Sequence, residues 1–241
     1  MQLRRLETDT FKTLINIHLQ KEAINNKKSM KIKSFTFNPF QENTYIIYDQ
    51  TKECLIIDPG CYTKEEEIRL NKFIIKNELN PVKIINTHCH IDHILGNKFA
   101  NEKWGAELYI HKADLPLIEN AGEISKTYGL ANYKRSPYPK HFLEQGSIIT
   151  FGENSFEILF TPGHAPGHIC LYNKINNILI AGDLIFKRSV GRTDLPFGNY
   201  DTLIKSISSK ILPLPNETQI FCGHGEATNL GNEKTHNPFL I

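Results

Sequence analysis

The chain is short of several things, and each shortage excludes something. No apolar run approaches the ~18 residues that a membrane-spanning helix needs, so no transmembrane segment is expected. Charge of one sign is scarce: 28 Lys and Arg stand against 26 Asp and Glu, a formal net charge of +2. So small a surplus gives no case for nucleic acid or an acidic surface as a partner. There is no low-complexity tract, and the N-terminus has no signal-peptide core. Cysteine is sparse and odd in number, five in all: Cys54, Cys61, Cys89, Cys170 and Cys222. They lie mostly beside strand-like runs, which favours reduced thiols in a cytoplasmic setting over a disulfide scaffold.

What is present is an ordinary globular composition, 40% hydrophobic over 241 residues, long enough for one domain with a substantial core. Residues 1–29 mix apolar, basic and acidic types and read as a peripheral extension, disordered or helical, with an amphipathic helix over Phe11 to Ile24 as its helical form. The domain proper is expected over residues 30–241. Strands are expected near 31–38, 43–49, 54–58, 82–86, 107–110, 147–151, 155–161, 168–173 and 177–182, with a last one at Gln219 to Phe221. Helices are expected over Lys64 to Asn77, Ile91 to Phe99, Ala113 to Asn120 and Asp201 to Ile211, with a covering loop after Asn120.

Residues 87–93 read Thr-His-Cys-His-Ile-Asp-His. Imidazoles and a carboxylate suit zinc and iron. The preceding Val82-Lys83-Ile84-Ile85 is a buried-strand pattern, so the cluster falls on a strand-to-helix turn, where α/β proteins place chemistry. His88 and His90 are two apart and point the same way from an extended segment, which turns Cys89 away as a buried thiol. Asp92 and His93 are adjacent and cannot point together. One metal would struggle to use all four ligands; two neighbouring metals could share them.

Three more strand ends carry ligand types. Thr161-Pro162-Gly163-His164 is a tight turn after a strand, and His168 opens the next strand as a supporting donor or a strand residue. Asp183 follows the apolar Ile178-Leu179-Ile180, where a carboxylate is costly unless paired or bound to a cation. His224 sits in Cys222-Gly223-His224-Gly225 after Gln219-Ile220-Phe221.

In this order, H-x-H-x-D-H, Gly-His, Gly-Asp and Gly-His, the set resembles the metallo-β-lactamase superfamily. The resemblance implies an αββα sandwich of two mixed β-sheets flanked by helices, and two metal sites. One would use His88, His90 and His164; the other Asp92, His93 and His224; Asp183 would bridge them. Asp58, in Ile57-Asp58-Pro59-Gly60, matches an early Asp-Pro-Gly turn of the family and would orient a ligand. True β-lactamases of this fold usually carry cysteine where Asp183 stands. Gly191-Arg192-Thr193-Asp194 resembles a stretch of glyoxalase II-like hydrolases, including a compact bacterial type, and of persulfide dioxygenases.

The function this implies is hydrolysis of a small acyl-thioester, such as a 2-hydroxyacyl glutathione, by a metal-bridging hydroxide. Asp92 and Asp183 would be catalytic, and the cofactors two divalent ions, zinc first, with iron and manganese also compatible. The partner is then a small-molecule thioester. Arg192 is the candidate substrate contact, with Lys126, Tyr128, Tyr133, Lys134 and Arg135 on the covering loop as further candidates. The basic C-terminal helical domain of the larger glyoxalase II enzymes has no counterpart after His224. The alternatives are a mono-iron persulfide dioxygenase on His88, His164 and Asp183, a lactonase, or a metal-binding protein without activity.

Overall fold

The computed structural model describes residues 29–240. The expected N-terminal extension, Ser29 apart, and its helix over Phe11 to Ile24 lie outside the described residues.

Two mixed sheets stack face to face. The first runs in order β1 (Met30–Phe37), β2 (Glu42–Asp49), β3 (Glu53–Ile57), β4 (Asn80–Ile85), β5 (Glu107–Ile110) and β6 (His141–Phe142). Its first three strands are antiparallel neighbours and the rest pair in parallel. In the second, β7 (Ile148–Phe151), β8 (Asn154–Phe160), β9 (Ile169–Asn173) and β10 (Ile178–Gly182) form an antiparallel meander. β13 (Gln219–Cys222) adds in parallel to β10, and β14 (Thr228–Asn229) closes that edge. A small hairpin, β11 (Ile185–Phe186) with β12 (Ser189–Val190), stands apart.

The side-chain period of two fixes the layers. On β3, Leu55 and Ile57 point between the sheets and join Ile85, Phe156, Ile158, Leu171 and Ile180. Cys54 and Ile56 point the other way, against Leu70 and Ile74 of α1 (Lys64–Lys76) and Leu117, Ile118 and Ala121 of α4 (Leu115–Thr127). Leu179 and Ala181 of β10 face Leu203 of α5 (Tyr200–Ser206) and Ile207 and Ile211 of the π-helical turn that continues it. Helices therefore cover both outer faces, giving the expected αββα sandwich. No helix among the described residues is long and apolar enough to cross a membrane.

α1 starts where the sequence expects it because Thr63 and Glu66 form a capping box. Two helix expectations are corrected. The helix expected over Ile91 to Phe99 is broken into α2 (Ile91–Ile94) and α3 (Asn97–Trp104). The 58–61 turn presses against the break: Gly96 N donates to Pro59 O at 2.6 Å, and a Cβ there would meet Cys61 Sγ and Pro59 O. The helix expected to end at Asn120 runs to Thr127, because buried positions continue as Leu117, Ile118, Ala121 and Ser125 while Gly122 faces open space. Lys126 is thus helical rather than on a loop, and pairs with Glu123. The sequence reading also passed over α6 (Leu230–His236).

Candidate metal centre

Four strand ends converge on one edge of the sandwich: those of β4, β8, β10 and β13 deliver His88 to His93, His164, Asp183 and His224. The ligand types scattered through the sequence form two groups. His88, His90 and His164 present atoms within 4.8 Å of one another, and so do Asp92, His93 and His224. Asp183 lies at the seam. Its Oδ2 is 3.5 Å from His164 Nε2 and 3.4 Å from His224 Nε2, and its Oδ1 is 3.5 Å from His93 Nε2.

The buried hydrogen bonds decide which ring atom each histidine offers. His164 Nδ1 donates to Arg192 O at 2.7 Å, and His224 Nδ1 donates to Phe40 O at 3.1 Å. His93 Nδ1 faces Asp58 Oδ2 at 3.1 Å. In all three the Nε2 lone pair is left for the centre. His164 Nε2 lies 3.2 Å from His88 Nε2 and 2.9 Å from His90 Nδ1. Nitrogens sharing one tetrahedral zinc at Zn–N ≈ 2.0–2.1 Å would sit about 3.3 Å apart, so this trio is already close to coordination spacing. Buried His93 Nε2 and Asp183 Oδ1 have no hydrogen-bond partner. Orphaned buried polar atoms are costly, and a cation between them would satisfy both. The residues present fit a pair of metal ions.

Electrostatics point the same way. Burial opposes charge on His93, but Asp92, Asp183 and Asp58 outweigh it and hold its pKa well above the ordinary value. Burial likewise opposes charge on His224, while hydrogen bonds to Asp183 and Asp92 raise its pKa to about 9. Burial works against ionised Asp183 too, but His93 and His224 hold it well below the usual carboxylate range. His88 goes the other way, pushed well down by burial and by the neighbouring histidines. The Asp92–His93–His224 side is thus the anionic side, where protons hold the place a cation would take.

Asp58 could itself be grouped with His88 and His93 by distance. Its oxygens are already engaged by Thr87 N at 2.7 Å, Thr87 Oγ1 at 2.6 Å and His93 Nδ1. It therefore orients His93 and shapes the loop, as the sequence reading has it. His168 supports Asp183: its Nε2 accepts from Asp183 N at 3.1 Å while its Nδ1 meets Thr161 Oγ1. Cys89 is buried, with its thiol pKa pushed well up by burial and by Asp114, which leaves it inert. Close packing holds the seam: a Cβ on Gly223 would collide with Asp183 Oδ1.

Among the described residues, the matched portion of the chain carries one family pattern. The family model described as "Metallo-beta-lactamase superfamily" matches residues 37–224. The chain belongs to the metallo-β-lactamase superfamily. Within this superfamily it is 38% identical over 216 residues to hydroxyacylglutathione hydrolase GloC of Haemophilus influenzae, covering 88% of this chain and 98% of that protein. Among solved structures it is similar to BLEG-1, titled a B3 metallo-beta-lactamase (TM-score 0.80, 33% identity, 88% of this chain and 100% of that one). It is also similar to TTHA1623, solved in a di-iron-bound form (TM-score 0.77, 36% identity, 86% and 100%). Membership makes the chain a metallo-hydrolase-type protein, and the histidine–aspartate clusters are where the superfamily's metals would lie.

Arg192, the substrate contact the sequence reading offers, lines the cavity with its guanidinium on Asp194, Nε to Oδ1 and Nη2 to Oδ2 both at 2.7 Å. Its backbone carbonyl also serves the site by fixing His164. Of the other candidates, Lys134 pairs with Glu67, and Tyr128 alone among the five lines the cavity.

Two functional-looking residues were passed over. Asp114, fully buried, accepts from Cys89 N at 2.8 Å and from Gly167 N. It ties the His88–His93 loop to the His164 turn. Asn86, also fully buried, donates from Nδ2 to His93 O at 2.9 Å and accepts from Asn97 Nδ2 at 2.8 Å. A buried carboxylate at a helix start gives no periodic signal, so only its fully buried position could have found Asp114.

Proposed function

We propose that this protein is a metal-dependent hydrolase of small acyl-thioesters, for which a 2-hydroxyacyl glutathione is the first substrate to try. The observation that carries the reading is Asp183, within 3.5 Å of ligand atoms from both triads. The identity to GloC over almost the whole of both chains supports it. His88, His90 and His164 would hold one metal; Asp92, His93 and His224 the other; Asp183 would be shared. Zinc is proposed for both, on the chemistry of the donors.

When bound, such a pair supplies Lewis acidity toward a carbonyl and brings the pKa of water down to ~7. The chain's own contribution is placement. Asp58, Arg192 O and Phe40 O fix three imidazoles, which removes their rotational freedom before substrate arrives. Asp92 and Asp183 line the cavity and are assigned to orienting the attacking water and taking its proton. A thioester suits this equipment because its thiolate leaves without a strong general acid. As part of the same reading the protein acts in the cytoplasm, which its five free, buried cysteines support, and needs neither nucleic acid nor membrane.

The test is metal analysis of the purified full chain with two assays, thioester hydrolysis and oxygen uptake with a persulfide. Two zincs and thioester cleavage are expected. One iron with oxygen uptake would overturn the reading in favour of a persulfide dioxygenase.

A further inference from the structure

The cavity that opens on the metal centre has a volume of about 800 Å³. His90, Asp92, His164, Asp183 and His224 form its polar floor. Away from that floor apolar side chains make up most of the walls, interrupted by Asn120, Thr127, Ser189 and Arg192. Leu117 and Ile124 come from α4, Tyr128 from its C-cap, and Phe186, Val190 and Phe197 from the stretch around β11 and β12. Among the described lining residues, the one cation outside the histidines is Arg192, which pairs with Asp194 at the surface.

Phe197 stands out on two counts. It is 65% exposed, while Tyr128, also on the lining, is 47% exposed, so two aromatic faces are held in water beside the site. Its φ is also +71°, in the left-handed region. Gly198 N donates to Leu195 O at 2.9 Å, closing a four-residue turn with Pro196 second and Phe197 third. Proline second and a positive φ third is the type II pattern, which favours glycine or asparagine at the third place. Phenylalanine there is strained, and a ring left 65% exposed gains little from folding to offset the strain. Strain kept where it does not stabilise the fold is characteristic of functional sites.

We propose that the substrate carries an apolar acyl group, for which phenylacetyl is the probe, and that Phe197 is the residue that selects it. The inference rests on the thioester reading for its chemistry but not for its geometry. The acyl carbonyl meets the polar floor while the acyl body lies against Leu117, Ile124, Val190 and the Phe197 ring.

The experiment uses the metal-loaded full chain and two non-hydrolysable amide analogues of N-acetylcysteamine thioesters, a neutral carrier, one phenylacetyl and one lactoyl. Calorimetry is expected to give at least about tenfold tighter binding of the phenylacetyl analogue, the scale on which apolar pockets discriminate. In Phe197→Gly that preference should fall by roughly tenfold while the thermal midpoint stays level or rises, since the turn is relieved. Equal binding of the two analogues, tighter binding of the lactoyl one, or an unchanged ratio in Phe197→Gly would overturn the proposal. Hydrolysis of the matching thioesters is measured separately. Selective binding without thioester cleavage would sink the thioesterase reading and leave the pocket assignment standing.

Discussion

Asp58 Oδ2 lies 3.1 Å from His93 Nδ1, with both residues buried. The same carboxylate holds Thr87 through its N–H and its hydroxyl, one residue before the first histidine of the cluster. One buried acid thus sets the tautomer of His93 and the course of the loop that carries His88 and His90. Asp58 has φ +47°, a conformation that asparagine also tolerates. Asp58→Asn should therefore fold, but should lower metal affinity by about 10–100-fold, the usual effect of removing a ligand's carboxylate partner. Competition with a chromophoric chelator measures it; wild-type affinity would show that His93 does not depend on Asp58.

Asp183 is the contact between the two triads. Asp183→Ala should reduce metal content below two per chain and cut thioester turnover by on the order of 100-fold or more, the effect expected when a bridging carboxylate of a two-metal site is lost. Elemental analysis beside initial rates tests both. Full activity with full metal content would remove the bridging assignment.

Metal uptake should release protons. Burial opposes charge on His224, but its hydrogen bonds to Asp183 and Asp92 raise its pKa to about 9, and His93 is also held well above its ordinary value. The His224 ring therefore carries a proton at neutral pH that it must lose to bind a cation, and His93 is shifted in the same direction. Affinity should rise with pH up to about 9 and fall steadily below it. Calorimetric titration in buffers of different ionisation enthalpy counts the protons; a buffer-independent enthalpy at pH 7 would contradict the charge state described here.

Asp114 is expected to matter for stability as well as for metal. Burial pushes its carboxyl up to about 6, against the opposing N–H bonds from Gly167 and Cys89. A raised acid pKa means the folded state holds the proton longer than the unfolded chain, whose value is ~3.9. Through this group stability falls as pH rises from ~4 to ~6 and is level above. Asp114→Asn should flatten that segment of the stability–pH curve. It should also lower stability at pH 7 by about 1–3 kcal/mol, because Cys89 N and Gly167 N address different carboxylate oxygens and the amide NH2 would face one of them. Denaturant unfolding of metal-free protein across pH 4–8 reads both effects.

Much of this was legible in the chain itself. A short apolar run marks the strand at Glu107–Ile110, and Thr63 with Glu66 mark the start of α1, because these signals are local. The seven candidate ligands were legible for the same reason: they lie at or just after strand ends, in motifs with their own glycine, proline or histidine signature. The break at Gly96 was not, since its cause is the approach of Pro59 and Cys61 from a distant turn.

The sequence by itself determined which side chains are the candidate ligands and that they fall at or beside strand ends, since motif and period are properties of neighbours along the chain. Only the tertiary structure decided what joins them. Asp114 reaches Cys89 across 25 residues and Gly167 across 53, and no local pattern encodes a contact of that span. Arg192 gains a second role for the same reason: the chain fold brings its carbonyl to His164, 28 residues away. Which ring nitrogen faces the metal centre, and which aromatic ring is left in water beside it, depend on packing between separate elements rather than on residue type.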